Sequence, residues 1–324
     1  MKTRQLGTNG PELTEIGLGT WAIGGPWSWG WGPQDDKDSI ATIQKALDAG
    51  INWIDTAPVY GLGHAEEIVA QAVQGRRDKV FIATKCGLVW DDRNRVDRNN
   101  RPESIRKECE ASLRRLKTDY IDLYQIHWPD PKTPVEDSWG EMVRLKEEGK
   151  VRYIGVSNFD VPLLEKCEAI HHVNSLQPPY SMVHKVKYPE VEKEILPWCH
   201  EHGVGVVAYS PLQNGLLTGK WNRERLDKLP RDDWRRRSEF FTDPFFSQIL
   251  QFVEQLKPIA EKYDKTLTEL AIAWVLMNPA VTSAIVGARK PEQIDEIIGG
   301  TGWQIETQDM ETIEHLAQEL LAAD

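Results

Sequence analysis

From about residue 15 to residue 298 the chain alternates short, nearly continuous apolar runs with longer stretches whose apolar positions recur at helical spacing. The runs "EIGLGT" (15–20), "NWIDT" (52–56), "VFIATK" (80–85) and "IDLYQIH" (121–127) predict strands. So do "VRYIGVSN" (151–158), "SLQPPY" (175–180), "GVGVVAYS" (203–210) and "TSAIVGA" (282–288). Between them, "DSIATIQKALDAG" (38–50) has the acidic start and glycine stop of a helix. Another helix opens at Pro102, with Ile105, Cys109, Leu113 and Leu116 on one face. Further helices are predicted over 64–75, 137–149, 161–169, 188–202, 267–278 and 291–298.

Strands that are apolar throughout are strands buried on both faces, as in parallel sheets. Eight strand–helix units joined by right-handed crossovers close a barrel more naturally than they extend an open, doubly wound sheet. The predicted fold class is α/β, a (β/α)8 TIM barrel forming a single domain over residues 1–324. "TRQLG…GPELTEI" predicts an N-terminal β-hairpin with Gly10 and Pro11 in its turn. The segment after residue 308 predicts an extra C-terminal helix. The connection from Pro211 to Lys265 is longer than a barrel loop needs and is expected to act as a lid.

Composition narrows function only a little. A formal net charge of -11 argues against nucleic acid or an anionic membrane as partner, while leaving room for a local basic pocket. No stretch is long and apolar enough to span a bilayer, and no apolar signal segment opens the chain, so a cytoplasmic location is expected. Cys86, Cys109, Cys167 and Cys199 are widely spaced, which fits a reducing compartment rather than a disulfide framework or zinc site. The histidines are isolated or lie on helices, and no metal is expected.

In a (β/α)8 barrel the site lies at the carboxyl ends of the strands. Here the first four strands end at Thr20, Asp55, Lys85 and His127. The last four end at Ser157–Asn158, Gln177, Tyr209–Ser210 and Gly287–Arg289. Four consecutive strands, the second to the fifth, thus bring polar or ionisable groups to one ring. Tyr60, on the loop after Asp55, is placed to reach inward to Lys85. A phenol titrates near 10 in water, and an adjacent ammonium is expected to lower that value while a carboxylate keeps the lysine charged. With His127 orienting a carbonyl oxygen, the set forms a polarising, proton-donating pocket for a carbonyl compound. A barrel aldolase using Lys85 as a Schiff-base nucleophile is an alternative, disfavoured because Asp55 would hold the lysine protonated.

The motifs "DTAPVYG", "TK", "QIHWPD", "GVSN", "YSPL" and "GARKPEQ" together resemble the aldo-keto reductases from end to end. Asp55, Tyr60, Lys85 and His127 match that family's catalytic tetrad. "WAIGG", "LLTGK" and "GARKP…TGW" look most like its bacterial stress-type branch, related to the potassium-channel β subunits. The resemblance implies NADPH-dependent reduction of aldehydes or ketones, with Tyr60 as proton donor and a monomer as the active species. It implies carboxamide contacts from Ser157, Asn158 and Gln177 and a stacking ring at Tyr209, with Thr20, Trp21 and Asp55 also near the cofactor. Ser210, Pro211, Leu212 and Lys220 match the family's pyrophosphate contacts. Gly287, Arg289, Gln293 and Glu296 match those to the adenosine half. A guanidinium binds phosphate bidentately, which suits Arg289 to a 2′-phosphate. Ile297 departs from the asparagine of many relatives and implies looser adenine recognition. Arg236, in "WRRR" (234–237), is either a second clamp from the lid or part of a solvated charge run. A slow NADP(H)-carrying redox sensor is the alternative function.

The sequence holds 13 tryptophans, several after predicted strands on the catalytic face. Trp21, Trp29, Trp90 and Trp128 are expected in the substrate pocket. An aromatic wall there favours an apolar or aromatic carbonyl. Gly61-Leu62-Gly63 lacks the third glycine of a dinucleotide fingerprint and is read as the bend into the second helix.

Overall fold

The chain begins with an antiparallel hairpin of β1 (Thr3–Gln5) and β2 (Glu12–Thr14), in a computed structural model that describes residues 1–231 and 233–320. Leu6 and Leu13 of this hairpin are buried against Trp53, Leu123 and Val207, and Thr8 N–H donates to the Gly203 carbonyl. The hairpin therefore plugs the barrel at the starts of its strands.

The strands that follow are β3 (Ile16–Gly19), β4 (Trp53–Asp55), β5 (Phe81–Cys86), β6 (Leu88–Trp90), β7 (Val96–Arg98) and β8 (Ile121–Ile126). Next come β9 (Val151–Ser157), β10 (Ser175–Gln177), β11 (Gly205–Tyr209) and β12 (Val281–Gly287). A closed barrel runs in the order β10-β11-β12-β3-β4-β5-β8-β9, and each pair of neighbours is parallel. The expected (β/α)8 barrel is thus formed and the doubly wound sheet is not. β6 and β7 pair only with each other, as a hairpin standing on the rim.

Helices α1 (Asp36–Asp48), α2 (His64–Ala72), α3 (Pro102–Leu116), α4 (Val135–Glu147) and α5 (Val161–Glu168) form within two residues of their expected starts. Their apolar faces account for this: Ile105, Cys109 and Leu116 of α3 are buried and Leu113 packs beside them. The helix expected over 188–202 is instead α6 (His184–Lys187), a π-helical stretch Val191–Ile195 and α7 (Leu196–Glu201). Pro197 has no N–H to donate, and the ladder shifts to the wider winding just before it.

The long connection after β11 is more ordered than a loop. It carries α8 (Arg223–Asp227) and then α9 (Phe245–Lys262), whose buried Phe246, Ile249, Phe252, Val253 and Leu256 join the main core. Only its first half reaches the barrel mouth. α10 (Leu267–Met277) opens on a Thr266/Glu269 capping box, and α11 (Gln293–Ile298) and α12 (Thr307–Glu319) complete the chain. Among the described residues no helix is long and apolar enough to cross a membrane.

Candidate active site

Asp55 closes β4 opposite Ala83 of β5, so Lys85, two residues on, lies on the same inward face. The Lys85 ammonium is fully buried and donates to both Asp55 oxygens at 2.8 Å, to the Thr56 carbonyl at 2.9 Å and to the Tyr60 hydroxyl at 3.3 Å. Lys85 therefore sits behind Tyr60 and does not itself line the cavity. With its donors turned inward and Asp55 against it, it presents no free amine to a carbonyl, and the Schiff-base alternative has no nucleophile.

Tyr60 is held by its backbone. Gly61 (φ +62°) sits so close to Gly24 that a Cβ on it would lie 1.9 Å from the Gly24 carbonyl oxygen. Only glycine at both positions lets the loop after β3 and the Tyr60 loop touch backbone to backbone. Gly63 (φ +107°) then caps α2, so this glycine pair does serve as the expected bend.

Burial, followed by the Asp55 carboxylate and Tyr209, pushes the Tyr60 phenol well above its ordinary range. This corrects the expectation that Lys85 lowers it: in the resting site desolvation and Asp55 outweigh the ammonium. Burial likewise lowers the Lys85 value, against the opposing pull of Asp55. His127 stands edge-on to Tyr60, ring centres 5.8 Å apart. Burial, with help from Lys85, holds its imidazole well below the usual histidine range. The site at rest thus contains a protonated phenol beside a neutral imidazole.

These groups open onto one cavity of about 920 Å³, within the range of dinucleotide- and substrate-sized pockets. Its floor includes Asp55, Tyr60, His127, Ser157, Asn158 and Gln177. Gln177 Nε2 donates to Asp55 at 2.8 Å, Ser157 Oγ to the Gln177 carbonyl at 2.8 Å, and the Tyr209 hydroxyl to Asn158 Oδ1 at 2.9 Å. Asn158 (φ +61°) and Ser210 (φ +57°) are held in left-handed backbone at the ends of β9 and β11, a cost that clusters at functional sites. Thr20 is fully buried, with its hydroxyl on the Asp55 carbonyl, and does not line the cavity.

Across the barrel the cavity continues past Tyr209, Ser210, Pro211 and Leu212 to Gly287, Arg289, Gln293 and Glu296. Gln293 Oε1 accepts from the Arg289 backbone N–H, while the Arg289 guanidinium is braced by Gln34 and the Pro33 carbonyl. Lys220 pairs with Glu296 at 3.0 Å. Ile297 is buried and also lines this end. Arg236 is turned away: its guanidinium is spent on the carbonyls of Asp227, Leu229 and Pro230. Arg235, its neighbour, lines the cavity instead, together with Arg225. A 3₁₀ turn over Trp234–Arg237 is what sends the two arginines opposite ways.

Of the expected pocket tryptophans, Trp21, Trp29 and Trp128 line the cavity and Trp90 does not, lying near the tip of the rim hairpin. Trp27, Trp31, Trp221 and Trp234 complete the aromatic wall. Trp21 packs on Trp31 and Trp234, bringing the loop after β3 against the β11 connection over the cavity mouth. The sequence reading missed Arg98, Arg225 and Arg235. The first of them sits on the β6–β7 hairpin, whose three-residue strands give too short a pattern to read from sequence. Among the described residues no group of three or more His, Cys, Asp or Glu side chains is placed to hold a metal ion.

Known proteins resemble this chain in sequence and in fold. The chain is 40% identical to the aldo-keto reductase YhdN of Bacillus subtilis, covering 99% of this chain and 95% of that protein. It is 36% identical to an NADH-specific methylglyoxal reductase of Escherichia coli, with 99% of each chain covered. The glycerol dehydrogenase AKR11B4 from Gluconobacter oxydans superposes with a TM-score of 0.89 at 40% identity, over 99% of this chain and 96% of that one. The holo form of AKR11C1 from Bacillus halodurans gives 0.79 at 26% identity, over 98% and 96%. Residues 15–318 match the aldo/keto reductase family, and with such relatives matched almost end to end, the chain belongs to that family and is an oxidoreductase.

Proposed function

We propose that the enzyme reduces aldehydes or ketones to alcohols with NADPH, with Tyr60 as the proton donor. The observation that carries this reading is Tyr60 itself, a buried phenol at the cavity floor, bonded from behind by the Lys85 ammonium and faced by neutral His127. When bound there, the reduced dinucleotide supplies hydride to the carbonyl carbon. Ser157, Asn158, Gln177 and Tyr209 would hold its nicotinamide end, and Ser210 to Leu212, Lys220 and Arg289 its phosphates. His127, neutral, donates one hydrogen bond to the carbonyl oxygen and orients it. Tyr60 releases its proton to that oxygen. Lys85, already in contact, stabilises the phenolate as it forms, so its effect is largest where charge develops.

The preference for NADPH is supported by the cations at the adenosine end. Burial and then Arg235 lower the Arg289 guanidinium from its ordinary value, and Arg225 is lowered the same way. Arg235 is paired with Asp233 at 2.6 Å, which leaves Arg225 and Arg289, without a carboxylate partner among the described residues, as the cations a phosphate dianion would meet. One relative is NADH-specific, so cofactor choice is the point to test. Binding titrations should give tighter affinity for NADPH than for NADH, and Arg289→Ala should weaken NADPH about tenfold with a smaller change for NADH. Equal affinities in the wild type would overturn the preference.

The seven tryptophans at the wall support an apolar or aromatic carbonyl as substrate. One chain supplies the whole tetrad and cavity, as a monomeric enzyme requires. Four buried free cysteines suit a reducing cytoplasm.

A further inference from the structure

The β6–β7 hairpin on the cavity rim carries no member of the tetrad, yet it presents one chemical feature to the site. Its register sets Leu88 opposite Arg98 and Trp90 opposite Val96, and residues paired or two apart share a face. Leu88, Val96 and Arg98 of that face line the cavity, alongside Asp97, His127 and Trp128, while Trp90 at its far end does not. An apolar strip beside the reacting centre thus ends in a cation.

The Arg98 guanidinium carbon lies 5.1 Å from the centre of the Trp128 ring, and Nη1 donates to the Pro129 carbonyl at 3.1 Å. These contacts fix the guanidinium while leaving most of its N–H donors unused. Among the described residues no carboxylate pairs with Arg98. Asp97 beside it accepts the Arg98 backbone N–H at 2.8 Å and pairs with Lys132 at 3.5 Å. The other cavity cations, Lys220, Arg225, Arg235 and Arg289, belong to the β11–β12 side, across the barrel from β5 and β8. Arg98 is therefore a separate cation at the tetrad end of the cavity.

We propose that Arg98 binds a carboxylate on the carbonyl substrate, so that the enzyme favours carbonyl compounds with an apolar body and an anionic tail. This rests on the reductase reading above and adds the substrate class. The tryptophan wall takes the body, and the guanidinium takes the tail bidentately, a geometry that lysine cannot reproduce. A chain of net charge -11 repels anions at long range, and a cation at the mouth offsets that for an anionic substrate.

The test compares kcat/KM for 4-carboxybenzaldehyde and 4-methylbenzaldehyde, with NADPH and with NADH, in wild type, Arg98→Leu, Arg98→Lys and the control Arg93→Leu. Arg93 is exposed near the tip of the same hairpin, outside the cavity. The carboxy-to-methyl ratio should fall about tenfold in Arg98→Leu, as expected for a partly solvated bidentate pair. It should fall less in Arg98→Lys, stay at the wild-type value in Arg93→Leu, and decline with added salt. A wild-type ratio in Arg98→Leu, or an equal fall in Arg93→Leu, would overturn the proposal. If wild type turns over neither aldehyde, the reductase reading fails, and Arg98 is read by tryptophan fluorescence instead. Titration with 4-methylbenzoate should then show about tenfold weaker binding in Arg98→Leu; equal binding would end the proposal.

Discussion

The Lys85 ammonium, enclosed on all sides, has both oxygens of Asp55 as its partners at 2.8 Å. Removing one member of such a pair leaves the other buried and uncompensated, which costs on the order of 3–5 kcal/mol. Asp55→Asn should therefore lower unfolding stability by about that much in a denaturant titration. Combining it with Lys85→Met should recover part of the loss, the signature of a coupled pair. Equal, additive losses would mean the pair is not coupled. Tyr60 and His127 are displaced in opposite directions from the ordinary phenol and imidazole values of 10.0 and 6.5, chiefly by burial. His127 thus gains a proton only below the usual histidine range, and Tyr60 keeps its proton beyond the usual phenol range. The single-turnover rate of reduction should accordingly stay flat between about pH 6.5 and 10. An inflection from either group inside that window would contradict the assignment.

Between elements, Glu108 of α3 ties the helix to the β5–β6 corner by accepting from the Gly87 N–H at 3.0 Å and the Ser104 hydroxyl at 3.0 Å. Burial pushes its carboxyl up from 4.5 to about 7, against the pull of these two donors, with Cys86, Cys109, Tyr124, Arg115 and Glu66 nearby. A raised folded value stabilises the fold below the unfolded value and loses that contribution as pH rises through about 7. Glu108→Gln should thus gain stability relative to wild type between pH 5 and 8, on the order of 2 kcal/mol. Thermal unfolding of both proteins at the two pH values checks this, and a constant difference would refute it. Much of this layer was legible in the sequence, because helices such as α3 and the buried strands carry their period in their apolar positions. α9 has the same period, with Phe246, Ile249, Val253 and Leu256 buried, but it lay inside a segment read whole as a lid. The rim hairpin escaped because its strands, of three residues each, are too short for alternation to stand out. With it went Arg98. The exchange of Arg236 for Arg235 depended on one 3₁₀ turn, which residue type does not disclose.

At the scale of the whole molecule, the fold divides one cavity between two halves of the barrel. The β4, β5 and β8 side holds the tetrad, and the β11 and β12 side holds Lys220, Arg235 and Arg289. In a chain of net charge -11, most of the pocket's cations gather at one end. Lys220 and Arg235 are paired to Glu296 and Asp233, and Arg225 and Arg289 have no carboxylate partner among the described residues. NADPH affinity should consequently fall more steeply with ionic strength than NADH affinity. Parallel salt dependences in isothermal titration would argue that the cations do not meet the extra phosphate. The barrel and the meeting of Asp55 and Lys85 were readable from strand-end residues, since register alone brings the two to one face. The bacterial branch was readable from "WAIGG", "LLTGK" and "GARKP…TGW". The Tyr60 phenol's upward displacement was not, because it reflects enclosure by the folded loops rather than any neighbour in sequence. The most direct test of the central claim is single-turnover reduction of 4-nitrobenzaldehyde by Tyr60→Phe with NADPH already bound. Affinity for NADPH should stay within about twofold of wild type while the rate of reduction falls about 10²–10⁴-fold. A wild-type rate in that variant would show that Tyr60 is not the proton donor.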